Sequence, residues 1–181
     1  FDPGNPVESI SFSRSEENRI YHEYYKEIKL KQHKIDSIQV LYFKATQKEE
    51  ETRLQSDYKK YLKELKEEQN KYEKNASALL ASHFIRASAQ YNAEVPHKNP
   101  EDYLDAIKLH FFDAMSLSDS VLSHSTFVND RLNDYVFYLH QGDDPETENK
   151  LQKDAIEKAV KWIGMSTEVL SNFEEELLET Y

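Results

Sequence analysis

Between Pro6 and Pro96 the chain runs 89 residues without a proline, and between Gly4 and Gly142 it has no glycine. Strand-to-strand connections draw most of their tight turns from these two residues, so a stretch this long without either points to helices joined by plain loops. The predicted fold class is all-α. About seven helices are expected, stacked as antiparallel hairpins in one helical domain over 13–181. Residues 1–12 precede it as an extended arm or the end of a β-domain, because Val7 to Phe12 alternate apolar and polar like a short strand.

Ser13 and Glu16 have the spacing of a capping box, which starts the first helix. Tyr21, Tyr24, Ile28, Ile35, Ile38, Tyr42 and Ala45 then form a heptad seam broken only by Lys31. A second seam follows: Leu54, Tyr58, Tyr61, Leu65 and Tyr72. It is displaced by two positions from the first, which swings it by about 200° around a continuous helix. One rod would carry two opposed apolar faces, so a break at 46–51 and a hairpin of two long helices are predicted.

Asn75 reads as the cap of a well-covered helix over 76–91, and 92–99 as a loop. Asn99 with Pro100 opens the next helix, whose buried face is Leu104, Ile107 and Phe111. A Ser/Asp-rich connection at 116–120 leads to a helix over 124–140 with Val128, Leu132, Tyr135 and Leu139 inward and Gly142 past its end. Asp144 and Pro145 open a sixth helix carrying Leu151, Ala155, Ala159 and Trp162, and Gly164 stops it. Ser166 caps the seventh, with a Met165–Leu170 staple and a stripe of Val169, Phe173, Leu177 and Tyr181. An apolar stripe reaching the last residue predicts a following domain that covers it.

Net charge is −11, and residues 143–181 hold eleven acids against four lysines. Such a surface repels phosphate backbones and anionic lipid, so neither nucleic acid nor a membrane surface is an expected partner. The run Lys26, Lys29, Lys31 and Lys34 reads as a solvated helix face. Glu174, Glu175, Glu176 and Glu179 are solvated too, or face a partner domain. No apolar run approaches a membrane span.

Cysteine is absent, which removes disulfides, thiol nucleophiles and thiolate ligands from these residues. A carboxylate di-iron site needs two Glu-x-x-His steps on helices, whereas the one such step, Glu94 to His97, contains Pro96 and reads as a loop. His110 and Asp113 lie one helical turn apart, but two ligands make no metal site. Phosphate loops and nucleophile elbows are missing as well. No catalytic residue, metal or cofactor is expected. Twelve tyrosines and nine phenylalanines fit helix seams with hydroxyls at the rim better than a base-stacking platform. The sequon Asn75-Ala76-Ser77 is accounted for by capping.

Three stretches, in order and spacing, resemble one family. Ser15-Glu16-Glu17-Asn18-Arg19-Ile20-Tyr21-His22-Glu23-Tyr24 is similar to the helix that follows the N-terminal β-domain of exported Bacteroidetes thioredoxin-like proteins. Tyr103-Leu104-Asp105-Ala106-Ile107-Lys108-Leu109-His110-Phe111-Phe112-Asp113, then Leu117-Ser118-Asp119-Ser120-Val121-Leu122, resembles their aromatic-aromatic-Asp helix end and Ser-Asp turn. Ile156-Glu157-Lys158-Ala159 through Phe173, Leu177, Leu178 and Tyr181 resembles their last helical pair. The resemblance implies a non-catalytic helical accessory domain of a thiol-disulfide oxidoreductase, lying between a β-domain and a C-terminal thioredoxin domain. That covalently linked domain or its substrate is the implied partner, and the implied location is the periplasm or cell envelope, with a lipid anchor in many members. The chain departs from the family in having neither the Cys-x-x-Cys nor the thioredoxin strands, so no catalytic residue carries over. His110, Phe112, Asp113, Ser118 and Asp119 match the family motif. They read as a structural turn lock, with Ser118 or Asp119 satisfying helix amides and Phe112 packed beneath. The alternatives are a free-standing helical interaction protein that binds an extended peptide and, from another class, a helical-bundle enzyme or metal binder.

Overall fold

The computed structural model of the chain describes residues 10–164 and 166–180. All regular structure among them is helical. The chain divides into two compact units, Phe1–Ala114 and Met115–Tyr181, a boundary that periodicity and capping do not mark inside 13–181. Of the expected strand at 7–12, residues 7–9 lie outside the described residues, and Ile10 to Phe12 form no regular element.

The first unit is built on a hairpin of α1 (Glu16–Lys44) and α2 (Lys48–Asn75), broken over three residues at 45–47. The break begins one residue before the expected position. The cap of α1 is Ser15, whose side chain accepts from the Asn18 N–H at 3.2 Å, and not Ser13. At the start of α2 the acids Glu49, Glu50 and Glu51 complement the helix dipole, since Gln47 makes no side-chain cap. The two seams that are out of phase in sequence close on each other once the chain reverses. Ile35, Ile38, Tyr42 and Ala45 meet Leu54, Tyr58, Leu62 and Leu65 in one core cluster. Lower in the hairpin Ile20, Tyr24 and Tyr72 gather with Ala76, Ala81 and Ile85 in a second.

The helix expected over 76–91 is reduced to α3, Ala81–Ala87. Asn75 ends α2 and caps nothing. The start of α3 is held instead by α1, because the Glu17 carboxylate accepts from the Leu80 N–H at 3.0 Å and the Ala81 N–H at 2.7 Å. Beyond Ser88 the chain is non-helical until α4, Pro100–Leu109, where Asn99 accepts from the Glu101 N–H at 2.8 Å. The buried face expected on α4 is weaker than its periodicity promised: Ile107 and Phe111 are half-buried, and Leu104 is exposed.

In the second unit a single turn, α5 (Ser120–Ser123), precedes α6 (Phe127–Asn133), which is the first part of the helix expected over 124–140. A π-helical turn, Asp134–Tyr138, follows, in which the Leu139 N–H reaches back to the Asp134 carbonyl at 3.1 Å. One extra residue per turn changes the phase of the helix. Val128, Leu132 and Tyr135 are buried as expected, but Val136 and His140 take the next inward positions and Leu139 is only half-buried. Helix α7 (Pro145–Ile163) starts at Asp144, whose carboxylate accepts from the Glu146 and Thr147 N–H groups at 3.0 and 2.9 Å. It stops at Gly164, whose φ of 63° suits a residue without a side chain. Ala155 and Ala159 are fully buried, while Leu151 and Trp162 are half-buried. Helix α8 (Thr167–Thr180) buries Val169 and Phe173. Met165 and Tyr181, named for the staple and the terminal stripe, lie outside the described residues.

Candidate functional site

The five motif residues fall on both sides of the boundary between the units: His110, Phe112 and Asp113 in the first, Ser118 and Asp119 in the second. Just past α4, His110 Nδ1 lies 2.6 Å from Asp113 Oδ2, and the imidazole stacks flat on Tyr91 with centroids 4.2 Å apart. The half-buried Phe112 meets Phe111 edge-on at 5.1 Å. In the second unit Asp119 caps α5, accepting from the Val121 N–H at 3.0 Å, while Ser118 pairs with the Ser116 hydroxyl at 2.8 Å. Asp119→Ala is therefore expected to lower the stability of the second unit by the cost of a lost cap, about 0.5–2 kcal/mol, read as a fall in its urea midpoint. The low end applies because α5 is a single turn. An unchanged midpoint leaves the turn without an energetic role for this carboxylate.

The densest polar constellation lies elsewhere in the first unit, where residues 88–99 form a strap on the hairpin. Its recognition elements are two glutamines of α1 seven residues apart, and hence on one face of the helix. Gln32 donates to both Asp36 and Asn92 at 2.9 Å and accepts from the Asn92 amide at 2.9 Å. Gln39, 1% exposed, donates to the His97 carbonyl at 2.7 Å and accepts from the His97 N–H at 3.0 Å. Lys98 closes the row by donating to the Tyr42 and Ala45 carbonyls at the end of α1, pairing with Glu51 at 2.6 Å and standing 4.9 Å over the Tyr42 ring. Unpaired amides and carbonyls are expensive to bury, and Gln39 satisfies both main-chain groups of residue 97.

Beside Tyr91 of the strap stand Asp36, Tyr58 and Tyr103. Burial pushes the Tyr58 hydroxyl well above the usual tyrosine range, with Tyr103, Asp36 and Tyr91 adding to the shift. Tyr103 is pushed up to about 12 by burial and by Asp36. The Asp36 carboxyl is itself raised by burial, against the opposing pull of the Gln32 hydrogen bond and His33. A tyrosine used as a base needs its hydroxyl moved toward neutrality. These move the other way, so at neutral pH they stay protonated.

The predicted tyrosine seams contain Tyr58, but nothing in the periodicity distinguishes Gln32, Gln39, Asn92 or Asp36. Gln32 and Gln39 each lie one residue past a seam position, Lys31 and Ile38, so the seam itself gives no signal for them. The Glu94 to His97 step lies in the strap, as the proline required. Among the described residues no group of three or more histidines or acids is placed to hold a metal, and no helix is long and apolar enough to cross a membrane. Of the lysine run on α1, Lys29 and Lys34 are exposed over the Tyr25 and Tyr61 rings at 5.5 and 5.3 Å. No family model, curated protein or solved structure matches the chain.

Proposed function

We propose that the chain is a non-catalytic helical accessory domain of an envelope thioredoxin-like protein, serving as spacer or docking surface for a thiol-disulfide oxidoreductase domain. The observation that carries this reading is how the candidate site spends its polar groups. Gln32, Gln39 and Lys98 hold backbone or amide groups in place, and the tyrosines beside them are tuned away from proton transfer. Such groups organise a surface. The three family-like stretches supply the oxidoreductase context, and with no cysteine the chain cannot itself attack a disulfide.

The test is the natural reading frame. Expressing it and assaying disulfide reduction, with any downstream cysteine pair changed to serine as control, is expected to give activity that depends on that pair. Absence of a downstream cysteine pair defeats the reading. The second reading, an interaction protein that binds an extended peptide, then takes its place, favoured by the way α1 grips the main chain of residue 97 through both N–H and C=O.

A further inference from the structure

The sequence holds a single Asn-x-Ser/Thr sequon, Asn75-Ala76-Ser77, and the residue between its two polar members is not proline. Capping, the structural reason expected for Asn75, is not its role. Asn75 is the last residue of α2, and the Leu80 and Ala81 amides at the start of α3 go to Glu17 instead. Among the described residues the side chains of Asn75 and Ser77 make no hydrogen bond, and both residues are exposed. Ala76 between them is 0% exposed and packs with Tyr72, Ala81 and Ile85, so the turn is anchored through its middle residue and leaves the outer two in solvent. Asn75 and Ser77 also line an open surface groove with Asn70, Lys74 and Arg86, whose donors and acceptors suit the hydroxyls of a sugar. The Asn75 carboxamide thus has room for a bulky, solvated substituent outside the core.

We propose that Asn75 is an N-linked glycan acceptor, with Ser77 supplying the hydroxyl of the sequon and a lipid-diphosphate-linked oligosaccharide as the donor. The bond from Asn75 Nδ2 to the sugar C1 forms as the C1–O bond of the donor breaks. The electron pair of the broken bond leaves on the lipid diphosphate, and one carboxamide proton passes to solvent. Because Ala76 is buried in the fold, the sequon is extended enough for a transferase only before the first unit closes, so attachment belongs to translocation and the folded protein carries the product. This goes beyond the docking role and shares with it only passage across a membrane. A glycan at Asn75 and a downstream cysteine pair are separate readouts, so either claim can fail alone.

The test is mass spectrometry of the Asn75 peptide from the full-length protein, tagged and recovered from the cells in which it naturally occurs. The peptide is expected to carry added hexose or N-acetylhexosamine mass, with fragmentation placing it on Asn75. Ser77→Ala is expected to abolish the glycosylated form and Ser77→Thr to keep it, because threonine preserves the sequon. Both variants are expected to keep the urea midpoint of the first unit, since the Ser77 side chain is exposed and bonds to nothing among the described residues. An unmodified Asn75 in the recovered protein overturns the proposal. A glycan that survives Ser77→Ala, or that maps to another residue, overturns it equally.

Discussion

Tyr24→Ala is expected to cost the first unit about 3–5 kcal/mol, the range for truncating a large buried aromatic side chain. Tyr24 is 1% exposed and meets the Tyr72 ring edge-on at 5.6 Å, so its removal leaves a void where α1, α2 and α3 converge. The hydroxyl contributes separately. It donates to Gln69 at 2.9 Å and lies 3.1 Å from the Ile85 carbonyl, which Gln69 also donates to at 2.9 Å. Tyr24→Phe keeps the ring and removes this link, for an expected loss of about 1–3 kcal/mol. Domains of this kind have about 5–15 kcal/mol in total, so the alanine variant loses a large share of the stability while the phenylalanine variant keeps most of it. Urea titration followed on α1 and α2 amides separates them. Equal losses for the two variants remove the packing role of the ring, and a loss under about 0.5 kcal/mol in both removes Tyr24 from the core account.

Gly142→Ala carries the largest effect expected in the second unit, about 1–3 kcal/mol, through overpacking. A Cβ at this position would lie 2.5 Å from the Glu148 nitrogen, 2.8 Å from its Cα and 3.0 Å from the Thr147 carbonyl carbon. All three are backbone atoms in the first turn of α7, which Asp144 pins by its capping bonds, so relief requires the helix start to shift. Trp162, the one tryptophan, sits on α7 and gives a fluorescence readout of this unit in urea. A midpoint equal to that of the unaltered protein shows that the turn yields freely and that the close approach is not constraining.

Gly142 also separates what local sequence can say from what it cannot. Its position after a helix predicts a glycine, and a glycine is there, but the expected reason was the chain reversal that ends a helix. The structural reason is the approach of α7, which sequence spacing does not encode. Helix α3 shows the same limit on a larger scale. Residues 76–91 have an apolar pattern sufficient for a covered helix, yet only Ala81–Ala87 are helical. Glu17 supplies the start from 63 residues away. Tertiary bonds of this length override propensities that amount to about 1 kcal/mol or less per residue.

What the chain determined by itself is what depends on near neighbours. Absence of proline and glycine made the long segments helical, and a two-position slip between the seams forced the hairpin. Asn99, Asp119 and Asp144 set helix starts because a cap bonds within three residues, and Gly164 set a stop because only its own φ is at issue. The tertiary structure alone decided the boundary after Ala114, the π-turn that brings Val136 and His140 inward, and the bonds from Gln32 and Gln39 to the strap. Each of these depends on a partner dozens of residues away or on how two elements share one core. Polar side chains such as Gln39 gain a role only when folding brings that partner within hydrogen-bond distance, which is why the candidate site stayed hidden while the helices did not.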